Sequence, residues 1–322
     1  MTQGVESLKG SPSPLARWRG VVGFVFALAA LGFLVYFVAN NLREVRAYQW
    51  TARPGVLVLS LLVHIVGLAW GVRVWQLVLR RMDVAIGYLE LARVWFVSGL
   101  GRYLPGKIWQ FVGAAHLGSM SGIPARITVT SLAVHTGFFL LGALLVTTFL
   151  MPLSASEVAG FGLGSLRWVS PLLLLLVHPS VVRTGLRLFE RLARRELASW
   201  SATWAQGILL LGLATIGWIL TGAAFFLFLL SVTPIPLVAV PAVIGINALA
   251  FTVGYLVFVT PAGLGAKEGT LTALLAVYLP GSVAAVLAIA SRLWTVAAEV
   301  IPAILLLPGP FRSSRPTADP PE

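Results

Sequence analysis

The chain contains no cysteine, which excludes disulfides, thiolate catalysis, Cys-ligated zinc and iron–sulfur clusters. Aspartate is nearly absent, with Asp83 and Asp319 its two occurrences. Nothing is therefore at hand to coordinate a nucleotide-bound metal, which argues against a self-contained kinase or sugar-nucleotide transferase. The four histidines, His64, His116, His135 and His178, form no i, i+4 pair, so neither a metal site nor any other cofactor is expected. Charge of either sign is scarce: 11% of residues are charged, against about 25% in an ordinary soluble domain. Too few polar side chains remain to cover a water-facing surface.

What fills the sequence instead is apolar: 58% of its 322 residues are hydrophobic. Runs of about 20 apolar residues cross a hydrocarbon core of about 30 Å. Gly20 to Ala39, Trp204 to Thr233 and Ile235 to Ala266 each carry no charge before their ends, and Pro54 to Val72 and Ile127 to Leu150 carry one histidine apiece, His64 and His135. The expected fold is all-α, a polytopic membrane helix bundle of about eight segments. The first run is too long for a signal-peptide core and lacks a small-x-small cleavage site, so it reads as an anchor.

The net charge of +12 resembles that of a nucleic-acid binder, but the arginines sit in short loops between apolar runs, so no nucleic acid is expected. They are a topology signal. Lys9, Arg17 and Arg19, then Arg80 and Arg81, then Arg183 to Arg195, and finally Arg312 and Arg315 mark the cytoplasmic side. Both termini are expected there, in a plasma-membrane protein. Arg43, Arg46 and Arg53 fall on the other side and run against the rule. The ends, 1–19 and 308–322, are rich in Pro and Ser and read as disordered. Between them, 20–307 is one transmembrane domain with halves at 20–150 and 166–307.

Two stretches do not fit simple spanning. Val84 to Leu100 and Ile108 to Met120 are short apolar pieces separated by Gly101-Arg102-Tyr103-Leu104-Pro105-Gly106-Lys107, the pattern of a re-entrant hairpin. Near the other end, Thr260-Pro261-Ala262-Gly263-Leu264-Gly265-Ala266-Lys267-Glu268-Gly269 breaks a second apolar run. Paired interruptions in two halves are how transporters built from repeats mark a binding site. Residues outside the breaks do not match between the halves. Gly101 to Lys107 has the spacing of a phosphate-binding loop, yet Ile108 stands where Ser or Thr must hold magnesium.

Ionisable residues at bilayer depth are costly and therefore candidates for function. They are Arg73, Glu90, Arg93, Arg102, Lys107, Lys267, Glu268, Arg292 and Glu299. Arg73 and Arg93 read better as anchors at the interface. Arg292 and Glu299 share a helix face at i, i+7, so a structural ion pair competes with substrate contact. Lys107 and Lys267 each stand near the start of a new helix, where free N–H groups and the dipole favour an anion such as a phosphate headgroup.

At these residues the sequence resembles a known family, the flippase-like transmembrane domain of lysylphosphatidylglycerol synthase. Pro261 to Gly269 looks like the family's Pro-x-Gly-x-Gly-x-(basic)-Glu-x element, Arg292 like the arginine that follows it, and Arg102 to Lys107 like the earlier Pro-Gly element. The resemblance implies re-entrant segments and a cavity through which a phosphate-bearing lipid changes leaflet. It puts Gly263, Gly265, Lys267, Glu268 and Arg292 at the substrate site, joined by Arg102, Pro105, Gly106 and Lys107 from the other half. The helix after the first element often bears an acidic residue in relatives, whereas here its only ionisable position is His135. No catalytic residue is expected. Two rivals stay open: a lipid- or glycolipid-modifying enzyme with Glu268 as general base, and a membrane subunit that recruits a soluble transferase.

Overall fold

A computed structural model of the chain describes residues 32, 36–103, 109–151, 168, 170–193, 196–257 and 263–307. Among these, all regular structure is helical. The helices are α1 (Leu42–Ala47), α2 (Pro54–Arg80), α3 (Tyr88–Gly99), α4 (Trp109–Met120), α5 (Ala125–Leu150), α6 (Leu173–Leu176), α7 (Pro179–Ala193), α8 (Trp204–Val232), α9 (Val240–Leu256), α10 (Ala266–Leu275) and α11 (Gly281–Leu306). Prolines set several starts, since a missing N–H costs nothing in a first turn. Pro54 opens α2, while Pro124 and Pro280 cap α5 and α11. Thr203 and Gln206 cap α8 reciprocally.

Five helices are long and apolar enough to cross a membrane: Pro54–Arg80, Ala125–Leu150, Trp204–Val232, Leu237–Leu256 and Gly281–Leu306. A sixth is added if Ser170–Leu176 and Pro179–Arg191, bent at 69°, count as one span. The expected crossing at Gly20 to Ala39 lies for the most part outside the described residues, as do both termini.

Hydrogen bonds between loops and helix ends define two opposite faces. On the first, the Thr51 and Arg53 N–H groups donate to Val232 and Ser231 carbonyls at 3.0 and 2.9 Å, tying the start of α2 to the end of α8. Ser282 donates to Glu44 there at 2.5 Å, which brings in the start of α11. On the second face, Ser201 donates to the Arg81 carbonyl at 2.6 Å and the Ala198 N–H to Thr130 at 2.9 Å, joining the end of α2 to the starts of α5 and α8. The Arg93 Nε donates to the Leu306 carbonyl at 2.7 Å, so α11 ends on this face. Helices α2 and α11 thus run one way, α5 and α8 the other.

Two pairs of consecutive helices pack against each other, α3 with α4 and α9 with α10. The α3–α4 pair has both outer ends on the second face, near Leu306 and near Thr128, where a Cβ on Gly118 would lie 2.7 Å from the Thr128 hydroxyl. At 12 residues each, these helices are roughly 18 Å long, short of a full crossing. The α9–α10 pair hangs from the first face. Gly245 of α9 packs on Met151 at the end of α5, and α10 leads back to α11, burying Leu271, Leu274 and Leu275 with Ile235, Val243 and Val283. The inner ends are Leu100–Tyr103, a 3-10 turn, and Gly263–Gly265.

Close helix approach depends on small residues, as expected where lipid supplies no hydrophobic drive between helices. A Cβ on Gly67 would lie 2.7 Å from Thr221 of α8, and one on Gly222 would lie 2.8 Å from the Ile244 backbone of α9. Gly71, one turn further along α2, faces Phe139 and Trp95 inside the bundle.

Candidate functional site

The two inner ends meet on α11. From the first, the Arg102 guanidinium contacts Glu299 Oε1 at 2.8 Å and the Tyr103 hydroxyl donates to Glu299 Oε2 at 2.8 Å. From the second, Glu268 Oε1 accepts from Arg292 at 3.0 Å. Arg292 also lies 5.9 Å from the centre of the Tyr103 ring, a cation–π distance that links the two ends. Glu268 and Glu299 are buried, at 2% and 7% exposure. Apolar surroundings make each carboxylate depend on its partner, because a buried charge left unpaired is strongly destabilising.

Local backbone geometry explains why this sequence builds the second end. Gly263 and Gly265 have φ of +70° and +84°, a region open to glycine and costly to other residues. A Cβ on Gly263 would also collide with the Gly254 carbonyl oxygen at 2.5 Å, so the end of α9 and the turn before α10 touch backbone to backbone. That contact starts α10 where Glu268 occupies its third position. The Gly265 N–H donates to Glu268 Oε2 at 2.8 Å, the acidic arm of a capping box whose other arm glycine cannot supply. The helix start expected to receive an external anion is thus partly filled by the chain's own carboxylate.

Lys267 has no hydrogen bond or ion pair of its own among the described residues, and is partly exposed. Its field is set by Glu268, Arg292 and Glu299. The described cluster therefore holds three cations, Arg102, Lys267 and Arg292, against two carboxylates, Glu268 and Glu299. One positive charge is in excess. A narrow cleft reaches the cluster between Leu68, Trp95, Phe96, Gly99, Arg102 and Glu299.

Of the residues expected from sequence, Arg102, Gly263, Gly265, Lys267, Glu268 and Arg292 come together. Pro105, Gly106 and Lys107 lie outside the described residues. The anticipated Arg292–Glu299 ion pair is not formed; each takes a partner from a hairpin end instead. The reason is spacing: seven positions along a helix are roughly 10 Å of rise, too far for one bond. Two contributors were missed. Glu299 appeared as an intramembrane charge without a role in the site, and Tyr103 stood beside Arg102 inside the break; nothing short of the fold pairs them.

The histidines divide. His135 contacts the Gly71 carbonyl at 3.2 Å and stacks on Phe139 at 4.4 Å, a packed structural residue. His64 is buried with no partner on either ring nitrogen. Arg73 is exposed beside Gln76, and Arg93 binds the end of α11. No group of three or more metal-ligating side chains occurs among the described residues.

A family model described as the lysylphosphatidylglycerol synthase TM region matches residues 20–303. The search of curated proteins returned no match.

Proposed function

The chain belongs to the lysylphosphatidylglycerol synthase TM-region family and is a multi-pass membrane protein, and on that premise we propose that it moves an anionic, phosphate-bearing lipid between leaflets. One observation carries this reading. Two helix pairs from opposite faces bring Arg102, Lys267 and Glu268 to α11, which carries Arg292 and Glu299, with one positive charge in excess. An anionic headgroup balances that charge, while its acyl or prenyl chains stay in lipid. In this reading α3–α4 and α9–α10 are re-entrant hairpins, the bundle has about eight membrane segments, and the arginine-rich face with both termini is cytoplasmic, at the plasma membrane. The lipid is a phospholipid or a polyprenyl-phosphate carrier.

Chemistry at Glu268 is less well supported. Both its oxygens already accept hydrogen bonds, one from Arg292 and one from the Gly265 N–H. A general base needs an oxygen directed at the proton it removes, and both of these are turned toward the chain's own donors. We therefore assign Glu268 to holding Arg292, and the protein to transport rather than catalysis.

Reconstitution into liposomes with labelled phospholipids and polyprenyl phosphates tests the proposal. The wild type is expected to move at least one of these headgroups across the bilayer, and the Glu268→Gln, Arg292→Ala double variant to lose that movement. No movement of any of them, or full activity in the double variant, overturns it.

A further inference from the structure

His64 sits on α2, 7% exposed, with its ring 4.3 Å from that of Trp294 on α11. Trp294 does not serve it, since the indole N–H donates instead to Ser60 at 3.1 Å. Neither imidazole nitrogen has a partner. A neutral imidazole offers one donor and one acceptor, and a charged one two donors, so the ring is unsatisfied in either form. Buried side-chain polar atoms are almost always paired, and an exception calls for a reason. The charged group it feels is Lys267, from α10. Helix α8 meets α2 through Gly67 and Thr221, which carry no charge. The remaining charges of the cluster, Glu268, Arg292 and Glu299, act on Lys267.

Two groups that feel each other's charge thus lack partners: a lysine with no ion pair and an imidazole with no hydrogen bond. Without an anion, the positive charge of Lys267 repels one on His64. With an anionic phosphate between them the sign reverses, because the phosphate oxygen accepts from a protonated ring and offsets the lysine.

We propose that His64 and Lys267 form an anion subsite, and that His64 takes up one proton from the surrounding water when a phosphate-bearing group occupies it. This deepens the transport reading and rests on it for the identity of the occupant. Binding of the headgroup is then linked to a proton, and by reciprocity lower pH tightens binding. His64 acts on the ligand directly, whereas Glu268 and Arg292 hold the frame.

With four histidines in the whole chain, the ring signals are few enough to follow singly. The full-length protein, labelled with 15N-histidine, is placed in nanodiscs of phosphatidylcholine and in nanodiscs containing phosphatidylglycerol, and each ring is titrated by NMR. His64→Gln assigns the signal, and the rings of His116 and His178, which are exposed, report the change in surface pH that anionic lipid brings by itself. The His64 midpoint is expected to rise by about one pH unit more than those two when phosphatidylglycerol is present, a tenfold linkage. Inorganic phosphate added to phosphatidylcholine nanodiscs distinguishes a free anion from a lipid headgroup: the same rise places the specificity in the phosphate alone, and no rise places it in the lipid. A His64 midpoint that follows the surface histidines in both lipid and phosphate overturns the proposal. Binding is read without any transport step, so a failure of lipid movement and a failure of the subsite are seen separately.

Discussion

The two hairpin ends do the same job by different means. The α9–α10 end is fixed by its backbone: two glycines at positive φ, a main-chain contact between Gly254 and Gly263, and Glu268 closing the first turn of α10. The α3–α4 end reaches α11 with the side chains of Arg102 and Tyr103 from a 3-10 turn. The exposures agree with this, for the Arg292 and Glu268 side chains are 17% and 3% exposed, Arg102 and Glu299 29% and 9%. A site that must hold a ligand and also release it benefits from one rigid wall and one that can let go. Backbone contacts cannot loosen by a rotamer change, and side-chain contacts can.

Substitutions can break this comparison. The largest effect is expected at Arg292→Ala, which leaves Glu268 buried and uncompensated, at a cost of about 3–5 kcal/mol seen as a lowered unfolding temperature in detergent. Gly263→Ala combines a positive φ with a backbone collision and should cost about 3 kcal/mol. Gly101→Ala is its counterpart in the other hairpin. A Cβ there would meet the Trp109 and Gln110 backbone at 2.8 Å, but Gly101 is not at positive φ, so a cost of about 2 kcal/mol follows from overpacking alone. Equal losses at the two glycines would erase the difference between the hairpins. Arg102→Ala should cost about 1–2 kcal/mol, because Tyr103 still donates to Glu299 and the pair is nearer solvent. Tyr103→Phe is expected to be mildest for stability, about 1 kcal/mol. A double-mutant cycle sharpens the contrast, with coupling between Glu268 and Arg292 larger than that between Arg102 and Glu299.

Much of this was legible in the sequence because membranes punish polarity. Long apolar runs revealed the helices, and the scarcity of charge made each intramembrane ion conspicuous. The two glycine-containing breaks predicted where helices would stop, and they do stop there. Partnerships were harder to read. Arg292 and Glu299 share a helix face in sequence, yet their partners, Glu268 and Arg102, come from residues 24 and 197 positions away. Such distant pairing depends on how the hairpins hang in the bundle, which local periodicity does not encode. In sequence His64 is simply the histidine of an apolar run, and the fold, with the Trp294 indole directed toward Ser60, exposes its lack of a partner. In contrast His135, also in an apolar run, meets the Gly71 carbonyl on the facing helix.

The central claim is that the rigid hairpin end borders a polar centre that an anionic lipid can occupy. Since the chain has no cysteine, Leu264→Cys gives a single thiol at that end, and Ala284→Cys gives a fully buried control in α11. Both are reconstituted and treated with a cationic thiol reagent. The Leu264→Cys protein should react far faster than the control, and phosphatidylglycerol should slow it relative to phosphatidylcholine, although anionic lipid concentrates a cationic reagent at the surface. A thiol at 264 as unreactive as that at 284, or one that anionic lipid fails to protect, would contradict the claim.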